Sequence, residues 1–438
     1  MTPQELFQIA KSQSKFHSTA VKEMSFSDWV KNLHMLKDEV IFITDRIKLI
    51  NRGFPSTFNL SFAEDFWTRM LEEIPGGKID KFYNYLQLPP HGFSAIAPVI
   101  RMEDLEKILK KSQTHLLFFH MVSINGCAVT EDNNAYEFFI INFFDFLERI
   151  GLDPKKFLIT IHPGNETMTK HNVTFQIPPN KTLKFFKSLA KEKGFQLKMI
   201  NKETFLALKL FGSPTPWGFR NEIFYRWNNN LVDIATFEWL YFSPEFDIKD
   251  GKIVYTKITQ WDKMAALDGI GFERFLFILN NLKSVYDLPP FIEIERIIFQ
   301  KSQIQKEFGA RLMGQLLLAL SAIFCEVGGF SRKHLGGGRR KNSINTLLYY
   351  FFITKDILKT EIDIELLRTI FLAYNNYFHF EDLKLDMTTL SNLVSALNEE
   401  YFAYQKFISK REHYSAIVNI EKLQKIDEIK EKIEAFLH

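Results

Sequence analysis

Two arginines stand where a chain can hold phosphate. Arg101 closes the apolar run IAPVIR and opens the polar stretch MEDLE, and Arg274 follows Gly269-Ile270-Gly271-Phe272-Glu273 at the head of an apolar segment with helical spacing. A guanidinium stays charged throughout the physiological range and presents a planar fork of donors, so it suits phosphate and carboxylate oxygens. A reaction that joins a carboxylate to the α-phosphorus of a nucleoside triphosphate needs such fixed charge at both ends of the triphosphate. A helix opening at Phe272 would add its positive end to the same task. A third feature is SRKHLGGGRRK, in which Arg332, Lys333, His334, Arg339, Arg340 and Lys341 flank three glycines. That patch is sufficient for several phosphate contacts of a nucleic acid on an adaptable backbone. A solvated basic loop is the plainer alternative.

The elements that must position these residues change in texture along the chain. Residues 1 to 95 mix short apolar runs with Pro and Gly punctuation (GFPST, IPGG, QLPPHG), which predicts several small elements. IAPVIR reads as a strand, MEDLEKILKK as a helical or turn insert, and HLLFFHMVSI as a second strand. AYEFFIINFFDFLERIG spaces its apolar residues as a buried helix, Gly151 can stop it, and the strand FLITIH follows. LVDIATFEWLYF is another β-rich run. GIGFERFLFILNNL continues helically through Phe272, Phe275, Leu276 and Leu279. The middle of the chain therefore predicts a mixed α/β domain of antiparallel character.

Beyond about Glu295 long helical periods take over: IIFQKSQIQKEFGARLMGQLLLALSAIF, INTLLYYFFITKDIL, ELLRTIFLAY, LSNLVSALNEEYFAYQKF and NIEKLQKIDEIKEKIEAFLH. These predict an all-helical domain, with SRKHLGGGRRK as a loop between its first two helices. The last helix is amphipathic through Ile420, Leu423, Ile426, Ile433 and Phe436, a pattern that packs onto its own domain.

Composition bounds the partners. With 55 Lys plus Arg against 52 Asp plus Glu among 438 residues, bulk charge does not announce a nucleic-acid binder, and any such contact must come from a local cluster. Cys127 and Cys325 have no ligand spacing, which supports neither a disulfide scaffold nor a structural zinc site and fits a reducing cytoplasm. No secretory leader is recognisable, and no stretch reads as long and apolar enough to cross a bilayer.

Four segments, in order, carry a family resemblance. VIRMEDLE with HLLFFHM resembles the two strands of motif 2 of alanyl-tRNA synthetases. PWGFRNEIFY resembles that family's Pro-x-Gly-x-x-x-Glu-Ile segment, DIATFEWLYF its next apolar strand, and GIGFERFLFILNNLKSVYDL its motif 3 with a following Tyr-Asp step. The resemblance covers most of residues 95 to 300, and the helical region agrees in length and layout. It implies an α+β fold: a class II synthetase antiparallel sheet over residues 1–297, poorly matched before residue 95, followed by a helical acceptor-recognition domain over 298–438. The family's editing and C-terminal portions have no counterpart.

The implied activity is ATP- and Mg²⁺-dependent activation of alanine or another small amino acid, with transfer to tRNA. On this resemblance, Arg101 would hold the α-phosphate and Arg274 the γ-phosphate and adenine face. Phe119 would lie under adenine, Gly269, Gly271 and Glu273 would line the nucleotide, and Glu222 would orient the substrate or a magnesium-bound water. Gly338-Arg339-Arg340-Lys341 resembles the turn before the family's acceptor-stem helix, but the next stretch, NSINTLLYYFFI, carries no positive charge.

The departures leave alternatives open. The motif 2 loop has no lysine before Lys107, and His120 stands where a glutamate belongs. Leu267 replaces the aspartate that grips the substrate ammonium. Asp268 is one position off and so points to the opposite face of a plain strand. Either a local bulge restores Asp268 to the pocket, or Asp233 and Glu238 are the nearest substitutes. A ligase with a non-tRNA acceptor, a small metabolite or a carrier protein, and a catalytically inactive binding paralogue are the competing readings.

Overall fold

The computed structural model describes residues 1–13, 21–25, 28, 40–43, 93–124, 127–130, 135–200, 205–210, 213–249, 252–335, 339–380, 383–411 and 417–437. Most of the small elements expected before residue 95 lie outside them. The chain divides into two units. Met1–Ile47, Ser61–Ala97 and His120–Asn281 form the first, and Lys48–Leu60, Pro98–Phe119 and Leu282–His438 form the second. The helical unit thus begins earlier than the expected residue 298, and it takes in the segment that bears Arg101 and Phe119.

In chain order the elements are α1 (Pro3–Gln13), β1 (Val21–Met24), β2 (Val40–Ile43), β3 (Phe93–Ile100), α2 (Met102–Leu109), β4 (Phe118–Ser123), β5 (Cys127–Thr130) and α3 (Ala135–Arg149). Then come β6 (Phe157–Ile161), β7 (Glu166–Lys170), β8 (Val173–Ile177), α4 (Leu183–Lys193), β9 (Gln196–Met199), β10 (Phe205–Leu210), β11 (Ser213–Trp227), β12 (Asn230–Lys249) and β13 (Lys252–Gly271). The helices α5 (Phe272–Leu279), α6 (Pro289–Lys301), α7 (Glu307–Val327), α8 (Arg332–Leu335), α9 (Arg339–Leu358), α10 (Ile364–Phe378), α11 (Met387–Ser409) and α12 (Ile417–Leu437) follow.

Among the described residues eleven strands share one sheet, in the order β1-β2-β3-β4-β13-β12-β11-β6-β9, with β10 beside β11 and β5 beside β13. Its centre, from β4 through β13, β12 and β11 to β6, is antiparallel throughout. Among the described residues, parallel pairs lie toward the margins, at β1–β2, β2–β3 and β6–β9. The architecture is mixed α+β, as the sequence predicts.

The long central strands follow from local chemistry. Asn228 and Asn229, both with positive φ (45° and 65°), form a two-residue turn that sets Trp227 opposite Asn230. Gly218 is required by proximity, since a Cβ there would stand 1.8 Å from the carbonyl oxygen of Trp239. One sheet face is covered by α3, whose Phe143 and Phe139 rings lie 4.6 and 5.8 Å from Phe237 and whose Phe139 lies 5.5 Å from Trp239. Gly151, at φ 87°, ends that helix by taking the left-handed conformation.

In the second unit, α7 packs against α6, α9, α11 and α12. Against the sequence-based expectation, α7 is long and apolar enough to cross a membrane by length and composition, but 89% of its most apolar window is buried within the protein. Asp363 and Asp386 cap α10 and α11 by accepting from Leu366 N (2.7 Å) and Thr389 N (2.8 Å). α12 turns Leu423, Ile426, Ile433 and Phe436 inward and leaves Ile420 exposed.

Candidate functional site

One face of the central strands of the first unit gathers the charges. In register, Arg220 of β11 stands opposite Glu238 of β12, Glu222 opposite Thr236, and Thr236 opposite Gly269 of β13. Residues directly opposite one another share a face, as do residues two apart on one strand, so Arg220, Glu222, Thr236, Glu238 and Gly269 lie together. Asp233 joins them through a bulge. Ile223 pairs with Ala235 but Phe224 pairs with Asp233, which leaves Ile234 as an extra residue and reverses the alternation. Arg274, in the first turn of α5, then reaches Asp233, donating from Nη1 to its carbonyl oxygen (2.5 Å) and to Oδ2 (3.1 Å).

Two guanidiniums and three carboxylates thus meet on one face, and the fit around Arg220 is loose. Arg220 Nη1 lies 3.4 Å from Glu222 Oε1, and Nη2 lies 3.4 Å from Glu238 Oε1. Charge-assisted bonds run closer to about 2.8 Å. Glu238 is 2% exposed. Burial pushes its carboxyl above the usual carboxylate range, and the Arg220 guanidinium offsets only part of that. Burial alone would lower the Arg220 pKa, but Glu238, Glu222 and Asp233 together outweigh it and leave the pKa raised. Three buried polar atoms of this cluster have no hydrogen-bond partner: Arg220 Nε, Thr236 Oγ1 and Glu238 Oε2. Native interiors leave few such atoms, and those that occur are met by ordered water or by a bound group.

Gly269 and Gly271 form the floor beside this cluster. A Cβ on Gly269 would meet Met121 Cε at 2.5 Å, and one on Gly271 would meet Arg274 Cδ at 3.2 Å. Both covers are the movable parts of long side chains. The floor therefore suits a flat ligand that displaces them, and ATP, which the resemblance implies, fits on that count. For Mg²⁺, no group of three His, Cys, Asp or Glu among the described residues can hold a metal. Such an ion would depend on phosphate oxygens with at most one or two carboxylates, of which the part-exposed Glu222 is the available one.

Other expected residues lie elsewhere. Asp268 faces away from the pocket, in register with Phe237, and no bulge restores it. Its Oδ1 accepts from the Ser123 hydroxyl and from Ile124 N (3.1 Å), so it ties down the segment between β4 and β5. Glu273 is buried and accepts from His120 through the backbone N–H (2.9 Å) and Nδ1 (2.8 Å). It fastens α5 to β4 rather than lining a nucleotide.

In the second unit, Arg101 is the N-cap residue of α2 and lies 3.9 Å from the buried Asp104 and 4.0 Å from Glu103. Phe119 is buried in the same unit. The Tyr286-Asp287 step is structural. The Tyr286 hydroxyl donates to His115 O (2.7 Å), and Asp287 Oδ2 accepts from Lys283 N and Ser284 N.

The basic segment is not one loop. Arg332 and Lys333 sit on α8, residues 336–338 lie outside the described residues, and Arg339, Arg340 and Lys341 open α9. Lys333 is exposed. Lys341 is engaged internally, donating to Phe330 O and pairing with Glu400 at 3.3 Å.

No protein-family model matches the chain, and no curated protein is similar enough to it to be called a relative. The site must be judged on its own chemistry. Arg220 and Thr236 are the residues that motif reasoning passes over. Period-two spacing from Glu222 and Glu238 finds each of them two positions away.

Proposed function

We propose that the chain is an ATP-dependent ligase of class II type that activates a small amino acid as its adenylate and passes it to tRNA. The observation that carries this reading is the joining of Arg274 to a carboxylate-rich sheet face whose floor is Gly269 and Gly271. The substrate carboxylate attacks the α-phosphorus and pyrophosphate leaves, after which an acceptor hydroxyl takes the acyl group and AMP departs. No general base is needed in the first step, because a carboxylate is ionised at pH 7. In this reading ATP supplies the phosphorus that receives the carboxylate. Arg274 swings from Asp233 to the triphosphate, and the released Asp233 joins Glu222 as a candidate for holding the substrate ammonium.

A second acceptor is kept open by one observation. With Lys341 tied to Phe330 and Glu400, the start of α9 offers less charge to RNA than its composition suggests, which favours a metabolite or carrier protein as acceptor. The test is amino-acid-dependent exchange of labelled pyrophosphate into ATP across the common amino acids, repeated with bulk tRNA. Exchange and charged tRNA are the expected results. Exchange without RNA binding at low salt transfers the conclusion to the non-tRNA ligase, and exchange with no amino acid overturns the ligase reading.

A further inference from the structure

Resting on that reading, we infer that Arg220, Thr236 and Glu238 form a side-chain subsite, and that the amino acid it takes ends in a hydroxyl or a primary carboxamide rather than in the methyl of alanine. Arg220 and Glu238 are direct cross-strand neighbours, and Thr236 is two residues from Glu238 on the same face. Each carries a buried polar atom without a partner: a donor at Arg220 Nε, a hydroxyl at Thr236 Oγ1 and an acceptor at Glu238 Oε2. Thr236 Cγ2 would lie 3.6 Å from a Cβ on Gly269, so the trio adjoins the proposed nucleotide floor.

The complement of these three atoms is specific. A hydroxyl has one proton to give and two lone pairs, so it can donate to Glu238 and accept from Arg220 and Thr236. A primary carboxamide can donate twice, to Glu238 and Thr236, while its oxygen accepts from Arg220. An ammonium cannot accept, and would leave Arg220 Nε unsatisfied. A carboxylate cannot donate, and would confront Glu238. A methyl leaves all three atoms buried and unpaired, at a cost of about 1–3 kcal/mol each. A site built to hydrogen-bond a polar group rejects the analogue that lacks it far more strongly than a greasy pocket rejects an extra hydroxyl.

The experiment compares serine, threonine, asparagine and glutamine with alanine, valine and lysine. Pyrophosphate exchange is measured as kcat/KM, alongside the rise in melting temperature that each amino acid causes. At least one hydroxyl or amide substrate is expected to exceed alanine by about a hundredfold or more. Thr236→Val, which keeps the shape and removes the hydroxyl, is expected to narrow that ratio about tenfold or more, with the folded state verified by its own melting curve. Alanine or valine turning over as well as every polar substrate overturns the subsite and leaves the ligase reading standing. Stabilisation by a hydroxyl or amide amino acid but not by alanine, with no exchange at all, supports the subsite and overturns the ligase reading instead. Absence of both exchange and stabilisation overturns both.

Discussion

The guanidinium of Arg274 is clamped to Asp233 by two contacts from one nitrogen, 2.5 Å to the carbonyl oxygen and 3.1 Å to Oδ2. The clamp holds a buried positive charge in the first turn of a helix, from which it swings to meet a triphosphate. Arg274→Ala should lower amino-acid-dependent pyrophosphate exchange by about a hundredfold or more. Arg274→Lys should recover little of it, because a single ammonium cannot reproduce the fork. Unchanged exchange in the alanine variant would remove Arg274 from the reaction.

Glu273 is placed to hold the fold rather than the substrate. Glu273→Ala removes the carboxylate that accepts from the His120 backbone N–H and Nδ1 in an interior where both residues are 1% exposed. The expected cost is about 3 kcal/mol of unfolding free energy, read from urea denaturation. Glu273→Gln should cost less, since its amide oxygen can still accept one bond.

Glu238 gives stability a pH dependence of definite sign. Its carboxyl is raised by burial, so above the ordinary carboxylate value and up to the raised one the folded state binds more protons than the unfolded state. Stability should therefore fall as pH rises through that window and level off beyond it. Glu238→Gln removes the titration, so the difference between variant and wild type, measured as unfolding free energy against pH, should carry that slope. A difference that stays flat across the window would show that Glu238 titrates normally.

At the start of α9 the three cations should separate by experiment. Lys341→Ala is expected to cost about 1–2 kcal/mol of stability, because its ammonium bonds Phe330 O and Glu400, and to leave the salt dependence of RNA binding unchanged. Neutralising Arg339 and Arg340 together should flatten the dependence of log affinity on log salt by about two units while exchange survives. Equal salt slopes in wild type and double variant would exclude both from phosphate contact.

The antiparallel centre and the helical half are legible in the sequence because their periods are strong. AYEFFIINFFDFLERIG becomes α3 and ends at Gly151, and GIGFERFLFIL becomes the junction of β13 and α5. Asp268 is legible as facing away, since alternation alone puts it opposite the glycine face. The pairing of Glu273 with His120 is not legible, because it joins residues 153 apart in the chain. Lys341 misleads for a similar reason. Its charge reads as exposed, while its partners come from the segment between α7 and α8 and from α11. The extra residue at Ile234 is invisible without the partner strand, so Asp233 and Glu238 appear in sequence to oppose each other.

That extra residue makes the site sensitive to counting as well as to chemistry. Asp233 and Glu238 are separated by an odd number of positions and still share a face only because β12 is one residue longer than its partner there. Deleting Ile234 would leave the two acids an even four positions apart and restore plain alternation with both still on the charged face. A shortened loop elsewhere on the surface would pass unnoticed. Here a three-nucleotide deletion that removed Ile234 would straighten β12 without displacing an acid, whereas the same deletion between Arg220 and Glu222, where alternation is already plain, would turn those two charges to opposite faces.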